Sequence, residues 1–392
     1  MKILNLIHSC NPEGGGPWEA VLQFTLEHIK NGHEVMAAST DGPNTPWCKN
    51  AEVPITPLGP ARNGYGHAPR LFHWLNDHAK KYDCAIIHGL WQYPGRTACK
   101  ILPKQNVPYF VYPHGMLDPW FKQAYPLKHL KKVIYWKIFE HQLLRKAQAV
   151  LFTCEEERRL AQNTFSPYKC QKAIAPLGIN APGDDPAKQV QAFLSQFPHL
   201  EGQRFFLYLS RIHEKKGLDL LLDALAQARR PLPQLVIAGP NTPTPYIEKL
   251  KRMEDELAGR QPGWEITWTG MLTGMPKWGA LRAADAFVLP SHQENFGIAV
   301  VEALAVGTPV LLSRKVNIWR EIVKEQAGIA EEDTVEGTLK TLNQWDALSE
   351  DSQRKMGNNA RLCFARHFEI SQAAKHLLEV LQGQASSASA IE

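Results

Sequence analysis

Short apolar runs separated by helix-length stretches recur along almost the whole chain. In the first half the runs are KILNLIHS, HEVMAAS, CAIIHGL, PYFVYPHG and AVLFT; in the second they are FFLYLSRI, QLVIAG, EITWTG, AFVLPS and PVLLS. Strands that are apolar on both faces belong to parallel sheets covered by helices on both sides. Two such sets predict an α/β protein of two doubly wound domains facing a central cleft, with ligands at the carboxyl ends of the strands. The stretch PLGINAPGDDPAKQ has no period and concentrates Pro, Gly and Asp, which puts the hinge near 178–200. The domains are therefore expected at 1–182 and 183–383, with the last helix able to pack back on the first. Residues 384–392, small and polar, are expected to be a disordered tail.

Composition narrows the class. A chain of 392 residues, 44% hydrophobic and 21% charged, has the balance of a soluble protein large enough for two cores. A net charge of +5 suits an anionic ligand or a membrane surface, but it is too diffuse for a nucleic-acid binder. The seven cysteines are scattered and never in C-x-x-C spacing, which points away from disulfides and zinc and toward a reducing cytoplasm. The opening MKILNLIHSCNPEGGG reads as a first strand rather than a signal peptide, and no apolar run is long enough to span a bilayer.

The chemistry concentrates just after strands. AFVLPS is followed by the loop HQENFG, a helix IAVVEALAVG and the strand TPVLLS. That pattern places Glu294, Asn295, Phe296, Gly297 and Ile298 at a helix start on the carboxyl edge of a sheet, where unpaired amides attract phosphate. Glu294 can accept hydrogen bonds from sugar hydroxyls, and Glu302, about one turn into the helix, from a ribose diol. The plainer alternative makes Glu294 a helix cap and leaves Glu302 partly solvated. In LSRIHEKKGLDLLLDAL, Arg211 and Lys216 bracket another post-strand loop and can neutralise a departing diphosphate; the alternative is a solvated basic loop. Turns at Gly239 in VIAGP and at Met271 and Leu272 in WTGMLT are placed to hold a planar base through backbone groups.

SRIHEKKG, VIAGP and ENFGIAVVEALAVGTPV, in this order, resemble the retaining glycosyltransferases of the GT-B fold, family 4, the glycosyl transferase group 1 proteins. The resemblance covers nearly the whole chain and implies two Rossmann-like domains. It also implies that Arg211 and Lys216 contact the donor diphosphate, Glu294 the transferred sugar, the amides at 296–298 sugar and phosphate, and Glu302 the ribose. IAGP lacks the second glycine found in many members.

In the first half, HSCNPEGGGPWEAV gives a strand, a Gly-rich loop and a helix, but Glu19 stands where a dinucleotide fingerprint needs its third glycine. The resemblance brings Gly15 and Gly16 near donor phosphate and acceptor; a tight turn is the alternative. VYPHGMLDPW ends a strand at His114, which can bond a sugar hydroxyl or the developing charge, as the family's His-Gly implies; His88 in IIHGLW is placed similarly, and Asp118 and Trp120 can face an acceptor. The segment 127–148 is a basic amphipathic helix, either lying on an anionic membrane or packed on the core with a solvated outer face.

No D-x-D metal motif appears, since MEDELAG falls inside a helix and EEDT lacks further ligands. The expectation is metal-independent transfer of a hexose from a nucleotide sugar, UDP- before GDP-, to a saccharide or lipid-linked saccharide. Domain closure would exclude water, and no cofactor is expected. The family implies retention; with no evident nucleophile, a same-face internal return fits. The enzyme is expected in the cytoplasm, either free or peripheral at the inner membrane face, serving surface or exopolysaccharide assembly. A nucleotide-sugar epimerase of the same architecture, or a non-catalytic nucleotide-sugar-binding protein, are the rival readings.

Overall fold

The computed structural model describes residues 1–183, 185–228, 232–240, 242–260 and 264–383, apart from the side chains of Gln123 and Arg260. The tail expected at 384–392 lies outside the described residues. The chain divides into two compact units, one of residues 1–178 joined by the chain from 370 onward, the other of residues 179–369.

In the first unit, β1 (Lys2–Ile7), β2 (Glu34–Ser39), β3 (Ile55–Pro57), β4 (Cys84–His88), β5 (Tyr109–Tyr112), β6 (Ala149–Phe152) and β7 (Lys172–Ile174) form a seven-stranded sheet. The order is β3-β2-β1-β4-β5-β6-β7 and every pairing is parallel. In the second unit, β8 (Phe205–Leu209), β9 (Gln234–Ala238), β10 (Ile266–Gly270), β11 (Ala286–Leu289), β12 (Val310–Ser313) and β13 (Gly328–Glu331) form a six-stranded parallel sheet, order β10-β9-β8-β11-β12-β13. This is the doubly wound α/β architecture that the apolar runs predict, and all ten runs are strands.

Three strands carry no sequence signal. β3, β7 and β13 are three or four residues long and lie at sheet edges, too short to display a period. Each sheet winds outward in both directions from one point, between β1 and β4 in the first unit and between β8 and β11 in the second. Such a switch point opens a crevice beyond the carboxyl ends of the two central strands, because their connections run to opposite sides.

The crossover between units lies at Gly178–Ile179 rather than at 182/183. Ile179 already bridges Glu369, and its N–H donates to Phe368 O (3.0 Å). The chain returns at the same place: helix Ile370–Leu381 belongs to the first unit, where its buried Ala374 and Leu377 face helix Gly16–Lys30.

The segment expected as one helix over 127–148 is interrupted. Helix Pro126–Tyr135 runs into a π turn, Trp136–Glu140, and then helix His141–Lys146. The wider turn carries Trp136 and Glu140 inward, where they are 1% and 2% exposed. Glu140 accepts from the Trp91 N–H at 2.7 Å, and burial pushes its carboxyl up to about 7.

Candidate active site

At the second unit's switch point, three loops are tied together edge to edge. Ser291 Oγ and the His292 N–H both donate to Lys215 O at 2.9 Å, joining the loops after β11 and β8. The Glu294 N–H donates to Lys315 O, and Asn317 N–H to Glu294 O, each at 2.9 Å, joining the loops after β11 and β12. Gly217 (φ +66°) lets the β8 and β11 loops approach closely: a Cβ there would stand 2.1 Å from Pro290 O. No other residue fits without separating the loops.

This stitching brings Lys216 and Glu294, 78 residues apart in sequence, into a direct ion pair between Nζ and Oε2. Lys216 is 8% exposed, and the Glu294 side chain 19%. The Glu294 backbone is held on both sides, so its carboxylate is aimed by the loop rather than by its own rotamer alone. Gly297 (φ +73°) then turns the chain into helix Ile298–Val306. The Val300 and Val301 N–H groups return to Gly297 O, whereas those of Phe296, Gly297 and Ile298 find no acceptor among the described residues. A lysine, a carboxylate and a row of open amides thus occupy one corner, a set of groups suited to an anionic oxygen-rich ligand.

The second acid behaves in parallel. Glu302 accepts from Lys277 Nζ at 2.6 Å, and its side chain is 12% exposed. The sequence reading pairs both acids with ligand hydroxyls; the structure gives each a lysine of the protein. Lys277 was missed because it sits on another helix, Gly274–Ala283, with nothing in its local pattern to distinguish it from a surface lysine. Glu294 is not the helix cap, which is Gly297, and Glu302 keeps partial exposure while each carboxylate is held by a cation.

The remaining predicted residues are less concentrated. Arg211 lies at the head of the same β8 loop, exposed and without a hydrogen bond or ion pair among the described residues. Gly239 has a packing reason of its own, because a Cβ there would lie 2.0 Å from Ser210 O. Met271 is 70% exposed after β10, while Leu272 is buried. EEDT acquires a partner invisible in sequence: Asp333 Oδ2 lies 3.0 Å from His292 Nδ1 and, chiefly through that hydrogen bond, holds the imidazole above its usual range.

In the first unit, His88 and His114 stand at the carboxyl ends of β4 and β5. His88 Nε2 meets Asn5 Oδ1 at 3.0 Å, and His88 Nδ1 meets His114 Nε2 at 3.0 Å. Because Asn5 Oδ1 can only accept, His88 Nε2 carries the proton and its Nδ1 accepts from His114 Nε2–H. His114 Nδ1 is left as a bare acceptor. Burial lowers both imidazoles, His114 to about 4, so the pair is neutral at physiological pH. His114 is suited to receive a hydroxyl hydrogen rather than to act as a cation at developing charge.

The turn that presents His114 is strained, with φ +50° at His114 and +75° at Gly115. Glu157, 3% exposed, secures it: Gly115 N–H donates to Oε1 at 2.6 Å, and Thr153 N–H and Oγ1 donate to Oε2 at 2.7 and 2.9 Å. Sequence reasoning passed over Glu157 because EEERR looks like a solvated helix face. Gly15 (φ +81°) and Gly16 open helix Gly16–Lys30 beyond β1; they follow a tight turn, Pro12–Gly14, that the Gly15 N–H closes onto Pro12 O at 3.2 Å, and a Cβ at Gly15 would meet nothing within 4 Å. Asp118 Oδ1 accepts from the Trp120 N–H at 2.8 Å, just ahead of the short helix Trp120–Ala124.

Comparison with known proteins supplies an independent view. Residues 190–362 match the family described as glycosyl transferases group 1, and residues 15–170 match the glycosyl transferase 4-like domain. Glycogen synthase of Mycobacterium tuberculosis is 31% identical over 131 residues, covering 33% of this chain and 30% of that enzyme, so the match spans under a third of it. Alpha-monoglucosyldiacylglycerol synthase of Streptococcus pneumoniae is 24% identical over 76% of this chain and 68% of its own length. Among solved structures, Anabaena Alr3699/HepE in complex with UDP and glucose superposes with a TM-score of 0.75 at 16% identity, covering 98% of this chain and 100% of that one.

Proposed function

Because this chain belongs to the group 1 glycosyltransferases of the GT-B fold, we propose that it moves a hexose from a nucleoside diphosphate sugar to a sugar or lipid-linked saccharide, with retention at the anomeric carbon. The observation that carries the reading is the Lys216–Glu294 ion pair beside the open amides of Phe296, Gly297 and Ile298, at the switch point of the second unit. These groups have the chemistry an activated sugar requires: amides and cations for the diphosphate, a carboxylate for the hydroxyls of the transferred ring.

In this reading the donor diphosphate takes the amides at 296–298, with Lys216 and the exposed Arg211 neutralising the charge that grows on the leaving oxygen. Glu294 receives hydroxyl hydrogens of the hexose, and Glu302, positioned by Lys277, receives those of the ribose. Backbone groups around Gly239, Met271 and Leu272 hold the base. The cations and amides carry the leaving-group charge without a divalent ion. In the first unit, His114 Nδ1 receives a hydroxyl hydrogen. The acceptor oxygen enters on the face from which the diphosphate leaves, its proton passing to a departing phosphate oxygen as the glycosidic bond forms. UDP is favoured over GDP by likeness to a fold neighbour solved with UDP, and a role in surface or exopolysaccharide assembly at the cytoplasmic side completes the proposal.

The test is product analysis with an acceptor panel, UDP-glucose or GDP-mannose, and EDTA. Transfer with retained configuration, unaffected by EDTA, is the expected result. An inverted product contradicts the route, an altered sugar without acceptor makes the protein an epimerase, and donor binding without turnover makes it a binding protein.

A further inference from the structure

The segment 126–146 turns an apolar stripe to solvent. Leu127, Leu130, Ile134 and Ile138 are 81%, 61%, 58% and 56% exposed. Their spacing places them on one helix face, and the π turn lets Trp136, Leu143 and Leu144 fill the core from the other. A helix packed on the core with an ordinary solvated surface presents polar residues outward; this one presents Leu and Ile.

Charge surrounds the stripe. Lys128, Lys131 and Lys137 are exposed along it, while Lys132 is drawn inward over the Trp91 ring at 4.7 Å. The only acid between 119 and 148 is Glu140, whose carboxylate is turned in to the Trp91 N–H. The outer surface is therefore apolar in the middle and cationic at the rim, with no exposed carboxylate in the segment. No helix among the described residues is long and apolar enough to cross a membrane.

We infer that the Leu127–Ile138 stripe and its lysine border dock on an anionic lipid bilayer. Charge complementarity selects this occupant: phosphate headgroups meet the lysines while the aliphatic side chains enter the acyl boundary. A second copy of this chain would bring the same lysines against each other, and like charges oppose that pairing. The inference stands apart from the proposed donor chemistry, since it uses none of the residues at either switch point.

The experiment is sedimentation of the full chain with vesicles of phosphatidylcholine alone, and of phosphatidylcholine with about a third phosphatidylglycerol. Binding to the anionic vesicles at low salt, weakened by added salt and absent with neutral vesicles, is expected. The triple variant Lys128→Gln, Lys131→Gln, Lys137→Gln loses on the order of 100-fold in partitioning, from about 1 kcal/mol per cation. Leu130→Ser, Ile134→Ser, Ile138→Ser loses at least ~10-fold, with only a small drop in melting temperature because these side chains are more than half exposed. UDP-glucose titration of both variants matches that of the unaltered protein, separating this inference from the donor reading. Failure of the unaltered protein to bind anionic vesicles, binding undiminished in both variants, or a dimer that the Ile134 and Ile138 changes dissolve would each overturn it.

Discussion

Replacing Lys216 by Met removes one half of an ion pair that the fold has brought together from two separate loops. Two unit charges about 4 Å apart at an effective dielectric near 20 attract by about 4 kcal/mol. Desolvation offsets part of that, and the Glu294 side chain keeps 19% exposure, so the net loss we assign is about 2 kcal/mol. For a unit of this size, that lowers the melting temperature by about 4–8 °C. Glu294→Gln alone leaves Lys216, which is 8% exposed, without its counter-charge and should cost a similar amount. The double variant removes both charges and recovers part of the loss, giving a coupling of about 1–2 kcal/mol in a thermal double-mutant cycle. Two single variants that each melt with the unaltered protein, or a coupling below about 0.3 kcal/mol, would refute the claim that the pair organises this corner.

Gly217→Ala should lower the melting temperature by more than about 5 °C, since its Cβ would collide with Pro290 O at 2.1 Å, whereas Gly15→Ala, facing open space, pays only for its positive φ. Glu157→Ala strips the buried Gly115 and Thr153 N–H groups of their acceptor and should cost about 3 kcal/mol by urea unfolding, while any retained transferase activity falls as His114 loses its fixed turn. His292 is raised above its ordinary value by Asp333, so the stability it contributes is complete below about pH 6.5 and lost as pH rises through its folded value. His292→Gln should flatten that segment of a melting-temperature profile; an unchanged slope would count against the contact. His114, lowered to about 4 by burial, stays neutral from neutral pH down to about 5, so activity in that window should show no titration belonging to it.

The apolar runs made the sheets legible because strands buried on both faces must be continuous, and Gly297, Glu294 and Lys216 stood out as residues placed after strands. Their pairing did not. A contact between residues 78 apart depends on which strands become neighbours, and the order β8-β11-β12 is settled by packing rather than by local pattern. The same holds for Asn5 and His88, 83 apart, whose hydrogen bond fixes the proton positions on both histidines. Lys277 and Glu157 were hidden by resemblance to ordinary surface charges. The helix over 127–148 was visible in outline, but its apolar residues divide between core and solvent only because a π turn shifts their phase.

The central claim is that a nucleoside diphosphate sugar binds at the amides of 296–298 between Lys216 and the two acids. Calorimetric titration of UDP-glucose and GDP-mannose into the unaltered protein, Lys216→Met and Glu302→Gln measures it directly. The account predicts saturable binding of one donor, weakened by at least ~10-fold in each variant, about 1.4 kcal/mol apiece. Equal affinity in all three proteins would contradict it.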